Sequence, residues 1–336
     1  MTRRERVIAA VSHKKTDFVP YNISFTQQEH KKVADYLQDQ DFDKKIGNHI
    51  CVTCYNGYLY EITPKKGYWK DDFGVVWNRN GVDKDIGVID GYVLKEPSLR
   101  GYRFPELDEK RMRADFEFLI KSSEDMFKFG SIGFSLYERA WTLRGMENLL
   151  MDMVAEPQFV DELLEAVVDY NLRIIDIALE YDIDGFHFGD DWGQQRGLIM
   201  GPCYWRRYIK PHLAKMYERV KSKGKIVSQH SCGDIEEIFP DLIEIGLDIY
   251  QTFQPEIYDI KKIKREFGNH LTFWGGISTQ KLLPFASPEE VKKTVRETIS
   301  IMGENGGYIA APTHDLPGDI PVENVLALIE AFQNQA

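Results

Sequence analysis

The chain has 336 residues, 43% of them hydrophobic, with 42 Lys and Arg against 53 Asp and Glu and a net charge of −11. That length and apolar share supply a core of the size of one α/β barrel with insertions, and the acidic balance argues against a nucleic-acid partner. No stretch has the apolar length of a bilayer span, and four cysteines in so long a chain make no disulfide framework. The opening Met1-Thr2-Arg3-Arg4-Glu5-Arg6 leads into a short amphipathic run and not into the apolar region of a signal sequence. We therefore expect a soluble protein of a reducing compartment, the cytoplasm.

In chain order, residues 3–12 read as a short helix and Phe18-Val19-Pro20-Tyr21-Asn22-Ile23-Ser24 as a first strand. Residues 27–40 return to helical spacing, with Val33, Ala34 and Leu37 on one face. Residues 41–105 are rich in Gly, Tyr, Trp and Asp, which suits hairpins in an insertion or lid. Within them His49, Cys51 and Cys54 have a metal-like spacing. With no second Cys pair and with apolar flanks, packing is the preferred reading there. Ile86-Gly87-Val88-Ile89, in 86–95, reads as another strand.

From residue 109 the pattern is periodic. Helix 109–128 precedes strand 130–137, which ends in Glu138-Arg139. Pro157 opens a long helix with Val160, Leu163, Leu164, Val167 and Val168 inward. Strand 183–189 ends in Asp190-Asp191-Trp192. Strand 225–231 ends in His230-Ser231-Cys232-Gly233. Strand 247–253 ends at Gln254, strand 271–277 carries Trp274-Gly275-Gly276, and strand 306–312 ends at Thr313-His314. Ser287-Pro288-Glu289-Glu290 is a capping box with proline at the first helical position. Strands alternating with helices demand parallel pairing through right-handed crossovers. Six strands from residue 130 onward, with 19–24 and 86–95, total eight and predict a single distorted (β/α)8 barrel domain over 1–336. No Gly-x-Gly-x-x-Gly follows an early strand, so the open dinucleotide-binding sheet lacks support.

Barrel chemistry sits at the strand C-termini. His230 and Cys232, two residues apart at a strand end, face one side together. Taken alone they read as a core cysteine beside a hydrogen-bonded histidine. With the other strand ends they read as a metal pair, His314 supplying a third ligand and Glu138, Asp190, Asp191 or a water the fourth. Three protein ligands and an open position are the catalytic form of zinc. His187, in mid-strand, reads as structural or as a support behind the site residues.

The stretches Asp184–Gly193, His230–Gly233, Phe273–Ile277 and Gly306–His314 resemble the uroporphyrinogen decarboxylase superfamily, and within it the methyltransferase-like branch. The resemblance implies a distorted barrel with its site at the strand C-termini. The decarboxylases carry an Arg-rich segment after the first strand. Ser24-Phe25-Thr26-Gln27-Gln28-Glu29-His30 stands there without arginine, and carboxylate-rich substrates need guanidinium donors. His314 falls where the decarboxylases carry a functional histidine. The superfamily's zinc methyltransferases carry His-x-Cys, matched by His230 and Cys232, and a second cysteine where His314 stands.

The resemblance implies a zinc methyltransferase moving a methyl group between a small methylated substrate and a corrinoid (cobalamin) held by a partner protein. On this reading His230, Cys232 and His314 hold zinc. Glu138, Asp190, Asp191 and His314 are the acid–base candidates, and Tyr137, Trp192, Gln254 and Trp274 line the pocket. The alternatives are a cofactor-free decarboxylase using Asp190 or Asp191 with His314, and a non-catalytic tetrapyrrole-binding or corrinoid-binding barrel. The aromatic-rich 41–105 segment suits a homodimer or partner contact.

Overall fold

The computed structural model describes residues 1–81, 85–123 and 125–335. Residues 82–84 of the predicted insertion and residue 124 of the predicted helix 109–128 lie outside these. The β-branched, alternating run Ile50–Tyr55 forms strand β1. Four short strands follow: β2 Leu59–Glu61, β3 Tyr68–Asp71, β4 Val76–Asn78 and β5 Val88–Ile89. They make a separate antiparallel sheet in the order β2-β3-β4-β5. Next come β6 Phe127–Ile132, β7 Gly185–Gly189, the small hairpin β8 Gly193–Gln194 with β9 Gly197–Leu198, and β10 Ile226–His230. β11 Ile249–Phe253, β12 Thr272–Ile277 and β13 Tyr308–Pro312 complete the set.

The main sheet is parallel in the order β1-β6-β7-β10-β11-β12-β13. Backbone around Tyr21 closes it. Asn22 N–H donates to Ala310 O at 3.0 Å and Ala310 N–H to Pro20 O at 2.8 Å, while His49 N–H reaches Tyr21 O at 3.0 Å. The Asn48 side chain adds two bonds to the Ile23 backbone, at 2.9 and 2.8 Å. Residues 20–23 thus lie between β13 and β1, and the circle holds eight strands.

The eighth strand is β1, not the 86–95 segment. Gly87 breaks that run at φ +90°, leaving only a two-residue edge of the antiparallel sheet. Because β1 belongs to the barrel, the inserted sheet starts after Tyr55 and not at residue 41. The strand expected over 130–137 also lies earlier, at 127–132, and Tyr137 opens a helix.

Helix α1, Arg3–Val11, starts at a Thr2 capping box with Glu5. Its Val7 packs into a closed cluster with Ile50, Phe127, Phe129, Ile249, Trp274, Ile309 and Ala311. These residues come from β1, β6, β11, β12 and β13, so the cluster is the barrel floor. The larger core lies between the strands and the helices outside them. Helix α2, Gln27–Leu37, is capped by Thr26, and helix α3 is Glu109–Ser122. The predicted capping box at Ser287 and Glu290 forms.

His49 ties the closing seam. Its Nδ1 accepts from Tyr21 N–H at 3.4 Å, so the ring must be neutral. Burial, then nearby Arg6 and Arg3, lowers its pKa from 6.5 to about 4. The unfolded chain then takes up this proton first, and stability falls as pH drops from about 6.5 to about 4, by roughly 3 kcal/mol at this site. Urea unfolding at pH 7 and pH 4.5 checks this. His49→Gln is expected to lose less stability between the two pH values than wild type.

Candidate metal centre

Two loops at the C-terminal rim approach closely and set the site. One follows β7 and carries Asp190 and Asp191. The other follows β10 and carries Cys232. Gly233 sits at φ +81°, and a Cβ there would fall 2.2 Å from the Gly193 carbonyl carbon. Gly193 N–H donates to Cys232 O at 3.2 Å and Asp234 N–H to Gln194 O at 2.8 Å. Glycine at 193 and 233 is what lets these backbones touch.

Asp191, His230 and Cys232 each offer a ligand atom, all within 4.8 Å of one another; among the described residues they are the only such group of three. His230 Nε2 lies 3.4 Å from Cys232 Sγ and 3.3 Å from Asp191 Oδ1. His230 Nδ1 is held by Gln251 Oε1 on the neighbouring strand. That bond fixes the ring and leaves Nε2 for the shared point, the usual arrangement around a ligating histidine. Asp191 also accepts Cys232 N–H at 2.7 Å. Burial opposes charge on His230, but the Cys232 sulfur and the Asp191 carboxylate raise its pKa well above the ordinary range. Burial likewise opposes charge on Asp191, yet His230 brings its pKa down to about 2. His230 and Asp191 thus stabilise each other's charged forms.

Asp190 is fully buried and does different work. Its carboxylate accepts the N–H groups of Leu136, Tyr137 and Glu138 at 3.3, 2.9 and 2.7 Å and the Trp192 indole N–H at 2.6 Å. These caps hold the start of helix α4, Tyr137–Arg144. Burial raises Asp190 to about 6 against the pull of those donors. Glu138, in the first turn of α4, is raised well above the usual carboxyl range by burial, then by Asp191 and Asp190.

His314 is exposed at the end of β13, and its ring centroid lies 6.1 Å from that of His230. It faces a cleft of about 1270 Å³, whose walls include Gln27, Gln28, Cys232, Gln254 and Thr313. The three remaining candidates for pocket lining are core residues. Tyr137 and Trp192 are fully buried, the first drawn in at the helix start and the second held by Asp190. Trp274 belongs to the barrel floor and stacks on Phe129 at 6.1 Å. Cys51 and Cys54 lie on opposite faces of β1 and cannot share an ion. Gln251 escaped the sequence reading. Its signal was its place opposite His230 on the next strand, which needs the register.

A closed parallel barrel with thiol, imidazole and carboxylate converging at the strand C-termini defines a metal-capable (β/α)8 barrel. The chain belongs to the uroporphyrinogen decarboxylase family, whose model matches residues 136–335. A methylated-thiol–coenzyme M methyltransferase of Methanosarcina mazei is 22% identical over 191 residues, 56% of this chain and 48% of that protein. A uroporphyrinogen decarboxylase of Coxiella burnetii is 24% identical over 187 residues, 53% of this chain and 48% of that one. The aligned part is thus about half the length of these curated relatives. A solved methyltransferase from Methanosarcina mazei superposes with a TM-score of 0.75 over 99% of this chain and 98% of that one, at 17% identity. At that identity the match speaks to the fold. Among the described residues no helix is long and apolar enough to cross a membrane.

Proposed function

We propose that the chain is a zinc-dependent methyltransferase that moves a methyl group between a small methylated substrate and a corrinoid carried by a partner protein. The observation that carries this is the convergence of Asp191, His230 and Cys232. Donor atoms around one tetrahedral zinc, with bonds of about 2.0–2.3 Å, stand roughly 3.3–3.6 Å apart. The 3.4 and 3.3 Å spacings about His230 Nε2 fit that. Sulfur, nitrogen and oxygen together suit zinc better than a hard cation. The curated methyltransferase relative supports the reaction class.

In this reading Asp191, His230 and Cys232 hold the ion, and Gln251 fixes the His230 ring. When bound, zinc supplies Lewis acidity that lowers the pKa of a substrate thiol or polarises a substrate oxygen. His314, on the open side, is assigned to the substrate, as a further ligand or a proton carrier. Glu138, whose pKa is raised by burial and then by Asp191 and Asp190, is assigned as a hydrogen-bond donor. Asp190 positions α4 and with it Glu138. The cleft above admits substrate and the methyl carrier.

The decarboxylase alternative draws less support. Gln27 and Gln28 line the cleft where a carboxylate-rich substrate needs guanidinium groups. The assay is direct. Zinc-loaded protein with methylcobalamin and 2-mercaptoethanol is expected to yield cob(I)alamin and the methyl thioether, the thiol proton passing to solvent. Chelation should abolish the conversion. No conversion with thiol or with methylated donors, alongside turnover of a porphyrinogen, would replace this function with the decarboxylase.

A further inference from the structure

Between Cys232 and His314 the cleft wall carries an uncharged polar side chain at each of three successive strand ends. Gln254 follows β11, Thr279 follows β12 and Thr313 follows β13, and all three line the cleft with Cys232 and His314. The bonds these groups already make decide what they present to a ligand.

Gln254 is buried for most of its surface, and its amide can face only one way. Gly233 N–H donates to it at 2.8 Å. The oxygen must therefore lie on that side and the NH2 on the other. Among the described residues nothing accepts from this NH2, and the nitrogen is not sealed in the core. Its two N–H bonds open on the cleft, beside the loop that carries Cys232. The backbone around it is tied down as well. Gln254 O accepts the N–H groups of Ile257 and Tyr258 at 3.1 Å each. Tyr258 Oη donates to Gly233 O at 2.8 Å and accepts Ile235 N–H at 3.0 Å. The turn after β11 and the loop of Cys232 thus form one unit, and the donor costs little to order when a ligand arrives.

The neighbouring threonines add a donor of the same kind. Thr313 Oγ1 accepts Thr279 N–H at 3.3 Å and pairs with Thr279 Oγ1 at 2.9 Å. Two hydroxyls that bond each other use one of their two hydrogens. Among the described residues no acceptor takes up the second. A ligand that fills the cleft strips water from these donors. An alkyl group then leaves them unpaired, which is costly, whereas an oxygen answers them.

We infer that Gln254 is a substrate-binding residue. Its N–H groups donate to an oxygen close to the reacting sulfur, so the site takes oxygen-bearing thiols and their methyl thioethers in preference to plain alkyl ones. The inference rests on the metal-site reading, since the metal set anchors the sulfur.

Two thiols of equal length test it: 2-mercaptoethanol, and 1-propanethiol, which has a methyl group in place of the hydroxyl. Each is titrated calorimetrically into zinc-loaded protein. Wild type is expected to bind 2-mercaptoethanol at least about fivefold more tightly. Gln254→Glu keeps an acceptor for Gly233 N–H and exchanges the two donors for an acceptor. It should retain zinc and bring the two affinities within about twofold of each other. Gln254→Leu removes both contacts and should erase the preference as well. Equal affinities in wild type, a tighter propanethiol, or a preference kept in either variant would overturn the inference and leave the metal reading intact. Failure of both thiols to bind would overturn the two together.

Discussion

Replacing Cys232 with alanine is expected to abolish methyl transfer and strip zinc from the purified protein. The sulfur is the strongest zinc donor of the set, and Cys232 also helps raise the His230 pKa. Without it one imidazole and one carboxylate remain, a pair common on protein surfaces. We expect metal affinity to fall by about 10³-fold or more, and activity with it. The fold should survive, because Cys232 is only partly buried and its backbone N–H still reaches Asp191. Equilibrium dialysis against zinc and the methylcobalamin assay read the two losses, and circular dichroism checks the fold. Retained zinc in this variant would move the site elsewhere.

Asp190→Ala is expected to have the largest effect on stability of any single rim change. It leaves three backbone N–H groups and the Trp192 indole N–H without an acceptor in a fully buried place. Each orphaned buried donor costs about 1–3 kcal/mol, so a loss of about 4 kcal/mol or more follows. The result should be a protein that unfolds at much lower urea or is not recovered. Asp190→Asn keeps one acceptor oxygen and should lose about 2 kcal/mol. If the asparagine variant is stable but slow, with zinc content unchanged, the residue positions α4 and Glu138. If both variants match wild type in urea, the capping role is wrong.

The second half of the barrel was legible because its strands are short, buried on both sides and followed by amphipathic helices. The run ending in His230 reads directly as such a strand. The early half was harder. Ile50–Tyr55 carries the same β-branched alternation, yet its cysteines and the aromatic sheet that follows hid it. Residues 18–24 read as a strand and do close the barrel, but through scattered bonds, including side chains of Asn48 and His49, and no local pattern announces those partners.

At the site, residue types were legible and partners were not. Asp190 and Asp191 look alike in sequence. Only the fold shows that one caps a helix and the other meets His230 and Cys232. Trp192 and Trp274 read as pocket aromatics, but a rim indole can turn inward to a carboxylate and a strand indole can fill the floor. Gln254 also read as pocket lining, but the direction of its amide follows from Gly233, a contact that spacing alone does not give.

The most direct measurement of the central claim is the metal content of the wild-type protein, prepared without chelators and compared with His230→Ala and Asp191→Ala. The account predicts about one zinc per chain in wild type and a clear loss in both variants. Wild-type protein that holds no zinc and takes up none on dialysis would contradict it.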